Sequence, residues 1–477
     1  MESYAFAASH PQVCRIHTLN TEIAHDRSLA ANNLSVVSGS SGWSRAIAER
    51  YHLRLSGELA HWFDSGVCDG IGHGEFCEPA HPEQLIENAP DCIWPGLMPP
   101  DVLPLVSNGL GDWLCGRVSA SGTISEVIYW YHGGGDYLPY GKGLAEAIVF
   151  DTLASRLPGR RQLHAVPAER DEPEHQAIIS SALVEWALTQ LSSEVANVMS
   201  IDAPPSLVAS ELSRHRIAMD AVRCDAVLAA LDSAMRTRLT TADAAALGVS
   251  WDNVVAKWMF DTSTIPGPHR SQVAARLVGV NADHADADHD GLFAQDWDTV
   301  ERICGEIARE RSDLGWVHDC LGWSAQRRGD INTAASHYEQ SAVTSVFTDQ
   351  SIRFKTHFDG DRVAKFSVAR LLELGQAHRL DAEYVNALTH ADRPNWREQV
   401  VSYWLGQLSA TLPTADQRYQ LIYRAGWDVG CESMHRYHEI LTMLADAATD
   451  AKQLARAEVA RTHAACIEDR YLRRTRS

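Results

Sequence analysis

The feature that most constrains the fold is the position of the strand-forming residues, which are confined to one short stretch. Residues 112–118 (DWLCGRV) and 125–131 (SEVIYWY) are rich in β-branched and aromatic side chains, and Ser121 and Gly122 supply a tight turn between them. After residue 174, apolar residues recur at three- and four-residue steps without a convincing strand. The sequence therefore predicts an α+β N-terminal module followed by an all-α region, whose alternating helices also suit a repeat-type domain.

Helical patterns flank the predicted hairpin. Apolar spacing predicts one helix over residues 43–63 and another over 144–157, whereas residues 66–100 are rich in Gly, Pro, His and Cys and indicate irregular loop. The short apolar run 102–106 follows two prolines and predicts a helical turn. The glycines at 133–135 end the second strand.

The polar, proline-containing stretch 159–173 predicts a domain boundary. The resulting division is a weakly ordered segment at 1–42, an α+β domain at 43–158, and helical domains at 174–290 and 291–477. The predicted helices cover 174–199, 205–238, 241–260, 296–310, 314–328, 331–345, 361–378, 396–411, 415–446 and 450–472.

A group of residues around the hairpin occurs in a distinctive order: Pro100, Asp101, Asn108, Gly109, Gly111, Asp112, Trp130 and His132. This order resembles the SUKH superfamily, which includes fungal cell-wall regulators of the Smi/Knr type and bacterial immunity proteins, over roughly residues 43–157. The loop at 66–93 departs from the pattern because it is longer and richer in cysteine. The resemblance implies a curved antiparallel sheet with helices on one side, a protein-binding role and no shared catalytic residues.

Residues of the same stretch form the predicted partner-binding set, which consists of Asp112, Trp113, Trp130, His132 and Asp136. The alternative for the aromatic members is that they simply fill the core of the hairpin, which is the commoner fate of such side chains.

A second pattern, at 313–346, is similar to a divergent tetratricopeptide hairpin. The small residues Gly322 and Ala334 would let two antiparallel helices approach closely, and Gly329 would close the turn between them. The pattern departs from the repeat at His318, Ala325 and Val346. An ordinary helical hairpin in a bundle remains open as the alternative.

The charge balance narrows the class of partner. The chain carries 62 acidic and 42 basic residues, a formal net charge of −20. This excess disfavours nucleic-acid binding and favours a basic protein partner, although acidity that only maintains solubility is the simpler alternative. No run of 18 apolar residues predicts a membrane span, and the ten scattered cysteines fit a reducing cytoplasm.

No cofactor or metal is predicted. Cys68, His73, Cys77 and His81 are metal-ligand types, but their gaps do not match the close pairs of structural zinc sites. We therefore expect a non-enzymatic protein-binding protein, in its sharpest form an immunity protein that neutralises a basic toxin domain. Two alternatives stay open: a scaffold or regulator presenting a helical groove to a peptide, and a metal-dependent hydrolase using His132, Asp136 and the cysteine- and histidine-rich loop. The sequence does not predict the oligomeric state.

Overall fold

The architecture comes from a computed structural model that describes residues 42–154, 181–200, 211–236, 297–348 and 363–473, except 71, 73, 74, 92, 390–392 and 432. The described residues from Trp43 onward belong to one compact unit. Residues 1–41 of the predicted segment 1–42, the predicted helix 241–260 and both predicted boundaries between domains lie outside the described residues, so the domain division stays a prediction.

Five antiparallel strands form one sheet in chain order. They are β1 (Glu78–Pro79), β2 (Val102–Ser107), β3 (Trp113–Val118), β4 (Ile124–Trp130) and β5 (Tyr137–Gly141). The predicted hairpin is confirmed as β3 and β4, which pair from Trp113–Trp130 at one end to Val118–Ile124 at the other, with a register shift between Arg117 and Val118.

The predicted helical turn at 102–106 is wrong, because these residues form strand β2. All six of its residues are buried. A strand buried on both faces shows no alternation of polar and apolar residues, so its sequence looks the same as a short buried helix. Pro104 is tolerated because the register shifts between Pro104 and Val106, and a bulge is one of the few places in a sheet that accept a proline.

Four helices accompany the sheet: α1 (Trp43–Tyr51), α2 (Gly57–Asp64), α3 (Pro82–Leu85) and α4 (Leu144–Ala154). The prediction of one helix over 43–63 is wrong, because His52 has a positive φ of 53° and Ser56 caps a new helix by accepting from the Leu59 N–H. The stretch predicted as loop also contains β1, α3 and a 3₁₀ turn at Val67–Asp69.

The remainder of the described chain is helical. Its elements are α5 (Ala182–Gln190), α6 (Ser193–Ser200), α7 (Met219–Arg236), α8 (Trp297–Glu310), α9 (Gly315–Arg327), α10 (Ile331–Ala342), α11 (Phe366–Glu373), α12 (Ala382–Leu388), α13 (Arg393–Ala410), α14 (Ala415–Trp427), α15 (Met434–Asp450) and α16 (Leu454–Ile467), with 3₁₀ turns at Val346–Thr348 and Ala377–Arg379 and a π-helical end at Glu468–Arg473.

Two predicted helices each become two of the helices above, and a third, 205–238, is interrupted by turns at residues 215–218 before α7. The predicted helix 174–199 becomes α5 and α6, and the predicted helix 415–446 becomes α14 and α15. Gly430 lies in the second break with a φ of +79°, a conformation that glycine adopts without strain. Helix α12 was not predicted. The α+β module followed by a helical region is confirmed.

Two hydrophobic cores hold these elements together. The first joins the sheet to α4, α5 and α7 and continues into α8, α9 and most of α10. The second begins at Ala342, the last residue of α10, and contains most of the buried apolar side chains of α12 to α15 and part of those of α16. Helix α10 therefore belongs to both cores.

The last two helices return to the N-terminal part of the chain. The Arg456 Nε donates to the Val118 carbonyl at 2.9 Å, and the Tyr437 hydroxyl donates to the Met98 carbonyl. The His463 Nε2 lies 3.0 Å from the Pro95 carbonyl oxygen. Within the described residues, none of the helices combines the length and the apolarity that crossing a bilayer requires.

Candidate binding surface

Three loops meet at one end of the sheet. In an antiparallel meander alternate turns share an end, so the β2–β3 turn lies beside the β4–β5 turn, and the residues before β1 reach the same place. The Glu78 carboxylate lies against Gly109, and the His132 ring lies against Gly111. Both glycines have positive φ angles, 69° and 114°, so the sequence Asn-Gly-Leu-Gly-Asp suits this tight turn.

The surface formed there, called the acidic loop end below, consists of Glu75, Glu78, Leu110, Asp112 and His132. Leu110 is 79% exposed at the tip of its turn. Glu75, Glu78 and His132 are also exposed, and Asp112 is half-buried. An exposed leucine among carboxylates gives the surface both an apolar contact point and negative charge.

Asp112 fixes the two turns relative to each other. Its backbone N–H and that of Leu110 donate to the Asn108 side-chain oxygen at 3.0 and 2.9 Å. Its carboxylate accepts the backbone N–H of His132 at 2.8 Å and lies 2.7 Å from the ring Nδ1 of the same residue. These hydrogen bonds therefore hold the two loops in place.

Two carboxylates crowd around one phenol. The Tyr129 hydroxyl donates to Glu75 and lies 3.3 Å from an Asp112 oxygen. Burial raises the pKa of Tyr129 far above its ordinary range, and the charges on Glu75 and Asp112 raise it further. The hydrogen bond from His132 to Asp112 raises the pKa of the imidazole. Glu75 and Glu78 keep this end of the sheet negative even when His132 is protonated.

Only part of the predicted partner-binding set reaches this surface. Asp112 and His132 belong to it. Trp130 and Asp136 have no exposed area, and Trp113 is 6% exposed. The prediction that these three side chains contact a partner directly is therefore wrong. The two tryptophans pair across β3 and β4 inside the core. Glu75, Glu78 and Leu110 were missed. The sequence feature that could have indicated this surface is Leu110, an apolar residue between two glycines in a turn.

A second polar group, the junction network, lies where the sheet meets the helices. Arg117 on β3 contacts Glu126 on β4 at 2.9 Å and Asp313 before α9 at 3.1 Å. Arg311 contacts Glu126 at 2.9 Å, Asp220 on α7 at 3.0 Å and Asp313 at 2.9 Å. The side chains of both arginines keep slightly under a fifth of their surface exposed.

A third polar group, the buried network, lies inside the second core. The Lys365 ammonium forms an ion pair with Asp428 and donates to the Ala342 carbonyl at 2.6 Å. The other Asp428 oxygen accepts from the Tyr384 hydroxyl at 2.5 Å and the Trp404 indole at 2.8 Å. Burial lowers the pKa of Lys365, and Asp428 opposes that shift.

Among the described residues, the buried network is enclosed, the junction network is partly exposed, and the acidic loop end is the most exposed of the three. No hydroxyl or thiol there is hydrogen-bonded to His132, and no group of three or more His, Cys, Asp or Glu is arranged to hold a metal in that part of the chain. Cys68 is buried and His81 pairs with Asp69 at 3.5 Å, while His73 lies outside the described residues.

Comparison with known proteins gives no relative: no family model, no curated protein and no solved structure matches the chain. The SUKH resemblance and the tetratricopeptide resemblance therefore stay predictions.

Proposed function

We propose that this chain is a non-enzymatic protein-binding protein and that its acidic loop end engages a basic protein. The observation that carries the proposal is that Leu110, a leucine with 79% of its surface exposed, lies in a turn that also holds Asp112 and that the Glu78 carboxylate contacts at Gly109. A large exposed apolar side chain surrounded by charge is typical of protein interaction sites.

The rigidity of the loops supports the same role. Asn108 closes its own turn through two hydrogen bonds of 2.9 and 3.0 Å, and Asp112 connects that turn to the next through two contacts with His132 of 2.8 and 2.7 Å. A surface ordered in advance loses little conformational entropy on association, so more of the contact energy appears as affinity. The net charge of −20 adds a long-range attraction that accelerates encounter with a basic partner and weakens as salt is added.

The finer proposal is that of an immunity protein. A toxin that acts on nucleic acid needs a basic active site to hold phosphates. An acidic, rigid surface with one protruding leucine is suited to covering such a site. This version rests on charge complementarity and on the SUKH resemblance together.

The test compares capture by three forms of the tagged full chain from its own cells at low salt. The forms are the wild type, the loop-end variant Glu78→Lys/Leu110→Lys, and the control Glu49→Lys/Leu412→Lys, which makes the same charge change at exposed positions outside the acidic loop end. We expect one basic protein to be retained by the wild type and the control, and to be lost from the loop-end variant and at high salt.

The proposal fails if every captured protein binds all three forms equally. The immunity version has a separate test, in which the captured protein is expressed in a host whose growth it arrests. Co-expression of the wild type should restore growth, and co-expression of the loop-end variant should not. Capture without growth arrest would remove the immunity version and retain the binding role.

A further inference from the structure

Two histidines face each other inside the α9–α10 hairpin. The Nδ1 atom of His318 lies 3.2 Å from the Nδ1 atom of His337, and the ring centroids are 5.5 Å apart. The difference between these two distances is about twice the radius of an imidazole ring. Both nitrogens therefore lie close to the line that joins the two ring centroids. His318 is only 4% exposed, and His337 is half-buried.

Hydrogen-bond chemistry limits the protons that this pair can hold. A bond between two ring nitrogens needs one N–H and one lone pair, which a pair of neutral imidazoles provides. One added proton is tolerated, because it can occupy an outer Nε2 while the inner bond remains. A second added proton places two N–H groups head to head and two positive charges side by side in a mostly buried site.

We propose that the histidine pair is an acid-sensitive contact that holds α9 against α10 while at least one ring is neutral and releases them when both rings are protonated. The device goes beyond the binding role, because it uses no residue of the acidic loop end.

The charged side chains near the histidine pair do not prevent the release of α9 from α10 in acid. Glu301 on α8 favours a charge on His337, but it already forms an ion pair with Arg328 at the end of α9. On α11, Arg370 pairs with Glu373.

Burial lowers the pKa of His318 from 6.5 to about 4, helped by the neighbouring ring, and burial also lowers the pKa of His337. Asp319, next to His318, acts in the opposite direction. Burial raises the pKa of its carboxyl to about 7, while Ser341 and Lys365 oppose that rise.

Separation of α9 and α10 at the histidine pair would affect both hydrophobic cores. One turn beyond His318, Gly322 packs so closely on Tyr338 that a methyl group there would overlap the tyrosine ring. Helix α9 follows Asp313 of the junction network, and α10 ends at Ala342, whose carbonyl accepts from Lys365 of the buried network. The histidine pair therefore lies between two polar networks that hold other elements in place.

The test measures hydrogen-exchange protection of the α9 and α10 amides between pH 7 and pH 4, in the wild type and in His337→Gln. Glutamine keeps a hydrogen-bonding group but takes no proton. The closed pair titrates below 6.5, so the open form binds more protons as the pH falls, and opening becomes more favourable towards pH 4. The shift of His318 corresponds to on the order of a hundredfold more opening in the wild type.

We expect His337→Gln to lose the part of that increase that comes from the facing ring, because burial still lowers the pKa of His318 in the variant, and we expect His435→Gln, a change at an exposed histidine on α15, to retain all of it. Asp319 stabilises the closed form as the pH falls, and it does so in all three proteins, so the difference between them isolates the pair. Equal loss of protection in the wild type and in His337→Gln would overturn the proposal.

A second measurement follows the imidazole nitrogen signals of the wild type by NMR, and it does not depend on the variant being folded. We expect two separate protonation steps, with loss of α9 and α10 protection at the second step. Protection that is lost at the first step, or that survives both, would also overturn the proposal.

Discussion

The junction network and the buried network are built from the same kinds of charge, but they differ in access to water. Arg311 and its acidic partners keep part of their surface exposed, Asp313 as much as 39% of its side chain. Lys365 and Asp428 are 3% and 2% exposed. Water can replace a lost partner in the first network and cannot in the second, so the two should respond very differently to the removal of one charge.

The largest effect is expected from Lys365→Met. This change leaves Asp428 charged in the core without its cation, which costs about 3–5 kcal/mol in the free energy of unfolding. Chemical denaturation followed by tryptophan fluorescence measures the loss. The double variant Lys365→Met/Asp428→Leu removes both charges and should recover part of it. A single variant as stable as the wild type would mean that water reaches this pair.

A smaller effect is expected from Arg311→Met. The change removes contacts to Glu126, Asp220 and Asp313, but these carboxylates remain partly hydrated, so we expect a loss of about 1–2 kcal/mol. The same denaturation experiment measures it, and added salt should reduce the difference from the wild type. A loss as large as that of Lys365→Met would remove the distinction between the two networks.

The change in stability with pH that comes from the junction network should be smaller than the loss expected from Arg311→Met. The bonds from Arg311 and Arg117 outweigh burial and hold the pKa of Asp313 well below its usual 3.8. In the unfolded chain Asp313 takes up a proton near pH 3.8, whereas in the folded chain it does so only at lower pH. Its contribution is therefore complete above pH 3.8 and is lost as the pH falls below that value.

Asp313→Asn should accordingly flatten the acid side of the stability curve, measured by thermal unfolding between pH 5 and pH 2.5. The wild type and the variant should converge towards the acid end of that range. Parallel curves would show that the Asp313 charge does not contribute to stability.

The smallest effect is expected from Arg45→Ala on α1. Arg45 contacts Glu49 at 2.7 Å, but the two side chains are 83% and 65% exposed. Solvent and salt screen such a pair almost completely, so the denaturation midpoint should not change measurably. A clear shift in the denaturation midpoint would show that exposure does not determine how much an ion pair contributes to the stability of this molecule.

The sequence predicts the fold well where periodicity is strong. The hairpin of β3 and β4 is rich in β-branched and aromatic residues and carries its own turn, and α10 begins at a clear cap, Asp330, which accepts from the Thr333 N–H. Strand β2 was missed because both of its faces are buried. The break between α1 and α2 was missed because His52 adopts a positive φ that no residue type announces.

The candidate surface was only partly predictable. Asp112 and His132 were predicted because they belong to the ordered set of residues that resembles the SUKH superfamily. Glu75 and Glu78 could not be placed, because they reach the same loops through the pairing of β1 with β2, and a strand of two residues leaves no periodic signal. The tryptophans Trp113 and Trp130 were misassigned because a sequence does not say which face of a strand is covered.

The contacts of α15 and α16 with the loop before β2 and with the end of β3 have a consequence for the order of synthesis. Pro95 and Val118 emerge from a ribosome more than three hundred residues before the partners that bind their carbonyls, His463 and Arg456. Until the end of the chain is made, the first core lacks Ala455 and Val459, which complete it. Contacts so distant along the chain form slowly, so the nascent N-terminal module would wait with part of its apolar surface uncovered and would be a natural client for chaperones during translation.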